Sequence, residues 1–515
     1  MAAEGQAPAS EASGDETDED SGEEPPAALV PTRLANHHHS LEVMRLSLQL
    51  YLHASFGCRG VGWVLRLLAG YLPLGVPAST TVLNWCCRLG LAVLQRPLPR
   101  REDWIFVIDE TVGLGALKCL IVLGIPAGRL AEAGYSPRHC DMTVLAVKMT
   151  LKSTGMWVAT VLEQVSARTG VPVQIVADHG SDVRKGIALF RQQAPRCVAT
   201  YDISHAVATQ LKAHWRDDGH WQGFLQQAGA TLSHFQQTDL AFLLPPRQRT
   251  KARYMAIDAH IDWALRLIGY HDRGDFSAIG RPCVFTATAW ARLPAAWGKR
   301  RVDSLRSLIG KHYDTRAALC EALRAAGATA LDDLDDTFWR LTDRGYARFL
   351  EAFAWVLPYR ALLPEWTQTI AVSKTIQTVL KTQGLSRATP ALVQAQFAAQ
   401  GPLAAPVAAF QRRVLQHAEQ EAAKLPAGAT WLASSDTIES VFGHYKAFTA
   451  RGPLKEVGRL VLLIPAFLCE LTAPVIREAM ASVRTIDVER WVHTHLGPSM
   501  LARRRRALRP DIKTA

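Results

Sequence analysis

"CVATYDISHAVATQLK", running from Cys197 to Lys212, opens as a short apolar run that closes on Asp202, and His205 follows three residues later where the pattern turns helical. A strand that hands an acid and an imidazole to the start of a helix is how α/β proteins deliver side chains to the crevice beyond their strand ends. More than two hundred residues of mostly helical periodicity then follow. Whatever completes a site at this strand end must therefore return from far along the chain.

Upstream of this stretch the texture is that of strands. "WIFVIDETVGLG" from Trp104 is a β-type run ending in Asp109 and Glu110, "LKCLIVLGIP" is a second run after a Gly-rich turn, and "MTVLAVKMT" is a third. The helical "GMWVATVLEQVSARTG" comes next. "VPVQIVADHGSDVRKGIALFRQ" then reads as a fourth strand ending at Asp178, followed by a helix capped by Ser181 or Asp182. With the run ending at Asp202 as a fifth strand, the order predicts an α/β sheet of mixed direction.

Downstream, "RYMAIDAHIDWALRLIGY", "DSLRSLIGKHY" and "PLAAPVAAFQRRVLQHAEQEAAKL" are helical, and "SSDTIESVFGHYKAFTARG" is a helix with a clear start. The chain is expected to divide into an acidic tail (1–40), a helical front domain (41–95), a linker (96–103) and the first part of a sheet domain (104–205). A large all-α insertion (206–429), the last part of the sheet domain (430–480) and a basic C-terminal tail (481–515) complete it.

Composition sets the broad class. Of 515 residues, 48% are hydrophobic and 20% charged, and no apolar run approaches the roughly 20 residues of a membrane span, so a soluble globular protein without a membrane partner is expected. The opening "MAAEGQAPASEASGDETDEDSGEEPPAALVP" has neither a basic n-region nor an apolar h-region and reads as a disordered acidic tail, not a secretory signal. The nine cysteines show no CxxC pair and no zinc-site spacing, as expected of reduced thiols in a cytosolic protein.

Charge points to a polyanion. The tail holds nine acids and no Lys or Arg before Arg33, which leaves 38 acidic against 58 basic residues beyond it, near +20 where the whole chain has +11. Lysine and arginine gain affinity for nucleic acid by displacing phosphate counterions, although ordinary surface solvation also uses such charge. The basic cluster "PPRQRTKARY" offers Arg247, Arg249, Lys251 and Arg253 as phosphate contacts that fix register without reading sequence. "ARRRRALR" (Ala502 to Arg509) reads as a nucleic-acid arm or a solvated tail.

In the front domain, "LEVMRLSLQLYLHASF", "CRGVGWVLRLLAGYL" and "PASTTVLNWCCRLGLAVL" predict three helices with a tight Gly-containing connection, the pattern of a helix-turn-helix. Ser79, Thr80 and Thr81 start the third helix and Asn84 and Arg88 follow, which is where a recognition helix meets bases and phosphates. A plain helical bundle has the same pattern.

The chemistry rests on three acids. Asp109 ends the first strand, Asp178 ends the fourth, and Glu439 lies in the first turn of the late helix. Were the two strands neighbours, their carboxylates would converge and Glu439 could close the group. Clustered carboxylates repel one another unless cations neutralise them, and hard oxygen ligands suit Mg²⁺ or Mn²⁺. Two such ions about 4 Å apart would activate a water or a 3′-hydroxyl and stabilise the leaving oxygen of a phosphodiester. Each acid also has an ordinary reading: Asp109 and Asp178 as turn residues, and Glu439 as a capping-box partner of Asp436. Glu110 and Asp182 are competing acids close by.

Together, "VIDET" around Asp109, "VADHGSD" around Asp178, "YDISH" around Asp202 and His205, and "TIESVFGHYK" around Glu439 resemble the motifs of DDE transposases. In these enzymes an RNase H-like catalytic domain is broken by a large helical insertion, as in the hAT superfamily. "YDISH" is similar to their C/D-x-x-H signature, and the resemblance spans roughly Trp104 to Arg451. The front helices resemble a bacterial insertion-sequence DNA-binding domain, and the chain lacks the zinc-finger segment of typical hAT proteins.

The resemblance implies an RNase H-like mixed sheet, with Asp109, Asp178 and Glu439 as metal-binding catalytic acids and Asp202 and His205 as an accessory pair. It further implies cleavage and strand transfer at the terminal inverted repeats of a mobile element, with double-stranded DNA as partner. Two Mg²⁺ or Mn²⁺ ions, a homodimer or larger assembly on DNA, and a cytoplasmic, nucleoid-associated location in a prokaryote belong to the same expectation. A transposase-derived DNA-binding regulator without catalysis and an RNase H-like host nuclease are the competing readings.

Overall fold

The structure is a computed structural model that describes residues 32–112, 115–178, 180–248, 257–280, 283, 284, 286–292, 303, 312–328, 331, 334–451 and 456–508. Arg249, Lys251 and Arg253 lie outside the described residues. The chain forms two compact units, one of Met1–Trp85 with Leu471–Ser482 and the other of Cys86–Glu470 with Val483–Ala515.

The first unit contains α1 (Leu41–Leu52), α2 (Cys58–Leu68) and the start of α3 (Ser79–Gln95). Ser40 caps α1, its hydroxyl accepting the Val43 N–H, and the helix buries Leu41, Met44 and Leu48 on one side. That side packs against both α2 and a late helix, Ala473–Ser482. The front unit thus recruits a segment that sequence reading assigned to the end of the sheet domain, because Ile476, Ala479 and Met480 are an apolar stripe that must be buried somewhere.

The second unit is built on a five-stranded sheet in the order β3-β2-β1-β4-β5. Strands β1 (Trp104–Val112), β2 (Lys118–Pro126) and β3 (Thr143–Thr150) form an antiparallel meander, with the short helix α4 (Ala127–Glu132) between the last two. Helix α5 (Gly155–Thr169) then crosses over, so that β4 (Gln174–Ala177) runs parallel to β1, and after α6 (Ser181–Gln193) β5 (Val198–Tyr201) runs parallel to β4. The sheet is mixed, as the order of motifs predicts.

Alternation along each strand sorts its residues between the two faces of the sheet. Trp104, Phe106 and Ile108 of β1 join Ile175 and Ala177 of β4 in one core with Val158, Leu162 and Val165 of α5 and Val183, Ile187 and Phe190 of α6. At Gly186 an added Cβ would lie 2.5 Å from the Cβ of Val158, so the absence of a side chain there lets α6 close onto α5. The opposite face of the sheet takes the odd-numbered residues of β1 and the even-numbered residues of β4 and β5. Helix Asp436–Thr449 packs against β1.

From the end of β5 the chain enters α7 (Ile203–Trp215), which runs without interruption into the helical insertion. Trp215 at its far end stacks on Trp221 of α8 (Gly219–Phe235) with ring centroids 4.4 Å apart, and Trp221 meets Trp366 edge-on at 4.9 Å. This aromatic cluster anchors the insertion, whose further helices include α9 (Ile257–Arg273), Leu363–Gln383 and Ala405–Ala423. The two-residue strands Leu385–Ser386 and Thr430–Trp431 pair as the chain returns.

The segment expected as a basic tail instead contains helices Thr485–His495 and Met500–Ala507. Asp487 accepts the Arg484 N–H at the start of the first, and Val488 and Trp491 are buried, so this segment has its own cap and apolar face. Arg503 to Arg506 are exposed on the second.

Candidate active site

The register of the parallel strands sets the site. Ile108 of β1 lies opposite Ala177 of β4, and Ala177 lies opposite Tyr201 of β5. The next residue in each case is an aspartate: Asp178 and Asp202 directly follow β4 and β5, whereas β1 stays paired with β2 as far as Val112, so Asp109 lies within its strand and does not end it as expected. All three fall in one row on the face opposite the α5 and α6 core, the face against which the Glu439 helix packs.

The three aspartates differ in what surrounds them. Asp109 Oδ1 accepts the N–H of Glu110 at 2.7 Å. Asp178 Oδ1 accepts the N–H of Gly180 at 3.0 Å in a tight turn, which leaves Oδ2 turned toward His205 Nε2 at 3.9 Å. Asp202 is fully buried; Oδ1 accepts the His205 N–H at 2.9 Å, and Oδ2 accepts the Ser435 N–H at 2.6 Å together with the Ser435 hydroxyl. Burial acts to raise its pKa, but the hydrogen bonds from His205 and Ser435 and the nearby imidazole outweigh it, and the carboxyl is lowered to about 2.

His205, in the first turn of α7, stands among the carboxylates. Its Nδ1 is 3.6 Å from Glu439 Oε1 and 3.7 Å from Asp202 Oδ1, and this buried nitrogen has no hydrogen-bond partner among the described residues. One ligand atom from each of Asp202, His205 and Glu439 fits within 4.8 Å, the spacing of groups that hold a metal ion. Asp202 is the least suited of the three, since three protein donors already occupy its oxygens.

Glu439 reaches this place because its helix starts where it does. The N-cap is Ser435, whose carbonyl accepts the Glu439 N–H, so Glu439 does not form the capping box with Asp436 that its spacing allowed. Asp436 is engaged elsewhere: Ser204 Oγ donates to its Oδ1 at 2.9 Å, and Lys381 Nζ lies 2.6 Å from its Oδ2. Gln174 fastens the approach to this helix, its side-chain amide exchanging hydrogen bonds with both the N–H and the C=O of Leu432.

The competing acids point elsewhere. Glu110 accepts the Ser153 hydroxyl and lies 4.0 Å from Lys118 Nζ. Asp182 is in the first turn of α6, whose N-cap is Gly180 with no side-chain hydrogen bond, so neither Ser181 nor Asp182 caps that helix as expected.

No protein-family model matches the chain, and no curated protein does. Among solved structures it is similar to a chain of the Drosophila P element transposase strand transfer complex. The identity is 13%, the match covers 85% of this chain and 92% of that one, and the TM-score is 0.32.

Among the expected DNA contacts, Ser79, Thr80 and Thr81 form the first turn of α3, where Thr80 is exposed, while Asn84 is half-buried. Arg88 is turned inward: its Nε donates to the Val483 carbonyl at 2.6 Å, and burial pulls the guanidinium pKa down against the opposing charge of Asp487. Through its Nε the side chain links α3 to the backbone at Val483. Arg247 is exposed.

Sequence reasoning overlooked Ser435, Gln174, Ser204 and Lys381. Ser435 alone carried a local signal, as a serine directly before a helix; the others are recognisable only through partners distant in the chain.

Proposed function

We propose that this chain is a DNA-cutting and strand-joining enzyme of the DDE transposase type, with an RNase H-like catalytic domain interrupted by the helical insertion. The observation that carries this reading is the row of Asp109 within β1 and Asp178 and Asp202 just beyond the parallel strands β4 and β5, faced by His205 and by Glu439 from a helix made much later in the chain. The sheet order β3-β2-β1-β4-β5, with β2 antiparallel to its neighbours, suits an RNase H-like domain.

The donor set fits a divalent cation. Glu439 Oε1 lies 3.6 Å from His205 Nδ1 and Asp178 Oδ2 lies 3.9 Å from its Nε2, and these carboxylates, with Asp109 from the same row, are hard ligands of the kind Mg²⁺ and Mn²⁺ prefer. When bound, such ions supply an activated water or 3′-hydroxyl and stabilise the departing oxygen of a phosphodiester.

The protein's own groups do the positioning. Gly180 fixes one oxygen of Asp178 so that the other faces the site. Asp202, ionised above about pH 2, sets a permanent negative charge beside His205 Nδ1 and holds the start of the Glu439 helix through Ser435. It is thus a positioning residue, while His205 orients a scissile phosphate or braces the acids. The front helices, through Ser79, Thr80, Thr81 and Asn84, bind the element ends, and Arg247, Arg249, Lys251 and Arg253 hold phosphates. Two copies pair the two ends.

The deciding test incubates the protein with labelled duplex DNA from the regions flanking its own gene, in Mg²⁺ or Mn²⁺. Asp109→Asn, Asp178→Asn and Glu439→Gln are expected to bind the duplex as the parent does, and to lose cutting by more than the roughly 10–100-fold typical of residues behind a metal's ligands. Undiminished cutting by Asp109→Asn rejects the metal assignment. Sequence-selective binding by a parent protein that never cuts favours the regulator.

A further inference from the structure

A cleft of about 500 Å³ opens beside Glu439, walled on one side by Lys374, Gln377 and Lys381 of helix Leu363–Gln383 and on the other by Asp436, Glu439 and Ser440. Residues 374, 377 and 381 share one helical face, so the insertion presents a polar edge to the site.

The first turn of the Glu439 helix is tied down residue by residue. Ser435 is bound by Asp202 at the end of β5, Asp436 by Ser204 of α7 and by Lys381, and the Thr437 hydroxyl donates to the Pro137 carbonyl at 3.1 Å. Of these, Lys381 is the tie that comes from the long insertion helix. Asp436 and Glu439 are also i,i+3 neighbours on a helix surface, where two carboxylates repel. The Lys381 ammonium offsets the Asp436 charge that Glu439 faces on the same turn.

We propose that Lys381 is a positioning residue for Glu439, through which the insertion sets the geometry of the metal-binding acids. This rests on the function proposed above. Lys381 acts through Asp436 and the first turn, without touching DNA or metal. The side chain of Lys381 is 29% exposed, and a partly exposed ion pair adds little to global stability, so its removal changes the turn without unfolding the chain.

The experiment compares full-length Lys381→Met and Lys381→Arg with the parent in three measurements. These are Mn²⁺ binding without DNA by electron paramagnetic resonance, duplex affinity and its salt dependence by fluorescence anisotropy, and single-turnover cutting at saturating DNA. Lys381→Met is expected to weaken Mn²⁺ binding by roughly 10–100-fold and to slow cutting in parallel, with duplex affinity and salt dependence unchanged. Lys381→Arg should keep most of both.

Weaker duplex binding with a shallower salt dependence and unaltered Mn²⁺ binding would make Lys381 a phosphate contact and overturn the proposal. Unchanged values in all three measurements overturn it as well. A parent protein that binds no Mn²⁺ and cuts no DNA removes the underlying function and this inference together. A parent that does both beside an unaffected Lys381→Met removes the inference alone.

Discussion

Asp202 shows how one side chain serves two helices. It is the N-cap of α7 and, through Ser435, fixes the N-cap of the helix that carries Glu439. Its folded pKa of about 2 lies below the ordinary carboxylate value near 3.9. The stabilisation from this shift is therefore fully present above about pH 4 and is lost as pH falls through about 2, amounting to about 2 kcal/mol. Thermal unfolding of the parent and of Asp202→Asn across that window should converge toward low pH, and a constant gap would count against the assignment. At pH 7, Asp202→Ala strands buried donors of His205 and Ser435 and is expected to cost roughly 2–4 kcal/mol. In the sequence, Asp202 and His205 could be read as a strand end with a helix start, because both signals are local. The attachment to Ser435 could not be read, since 233 residues separate the partners and neither end specifies the other. The bond from Arg88 Nε could not be read for a similar reason: its Val483 carbonyl lies 395 residues away.

At the level of elements, the strands and the crossover helix were legible because apolar runs, period-two alternation and turn residues agree along Trp104 to Tyr201. Less legible was what holds the returning segment to the sheet. Gln174 sits fully buried within a four-residue strand, where an amide is costly unless satisfied, and it is satisfied by Thr200 and by the backbone of Leu432. Gln174→Leu leaves the Leu432 N–H and C=O without these partners and should destabilise by about 1–3 kcal/mol. Limited proteolysis should then cut first near residues 425–436, where the segment has lost its anchor; cleavage confined to other regions would argue against that role. At the α5–α6 contact, Gly186→Leu drives a side chain into Val158, and an overpacking cost of about 1–3 kcal/mol should appear as a lower melting temperature.

Across the whole molecule, charge and chain order matter most. A chain starting at Thr32 loses nine acids and no basic residue, so its balance moves from +11 to near +20. Such a protein should bind duplex DNA more tightly than the full chain at low salt. The advantage should fade as added salt shortens the screening length toward roughly 3 Å near 1 M, which a salt series by anisotropy measures. Composition made the basic excess readable, whereas the sharing of helix Ala473–Ser482 with the front unit depended on an apolar stripe whose destination no local pattern names. The split of the sheet domain around the insertion also has a bearing on synthesis. Asp109, Asp178, Asp202 and His205 emerge from the ribosome early, but Ser435 and Glu439 follow more than two hundred residues later. At about 5–20 residues per second, that interval is roughly 10–50 s. On the function proposed above, the nascent chain lacks its last acid through that time, and its front unit still lacks helix Ala473–Ser482, so cutting waits on the order in which the chain's own parts are made.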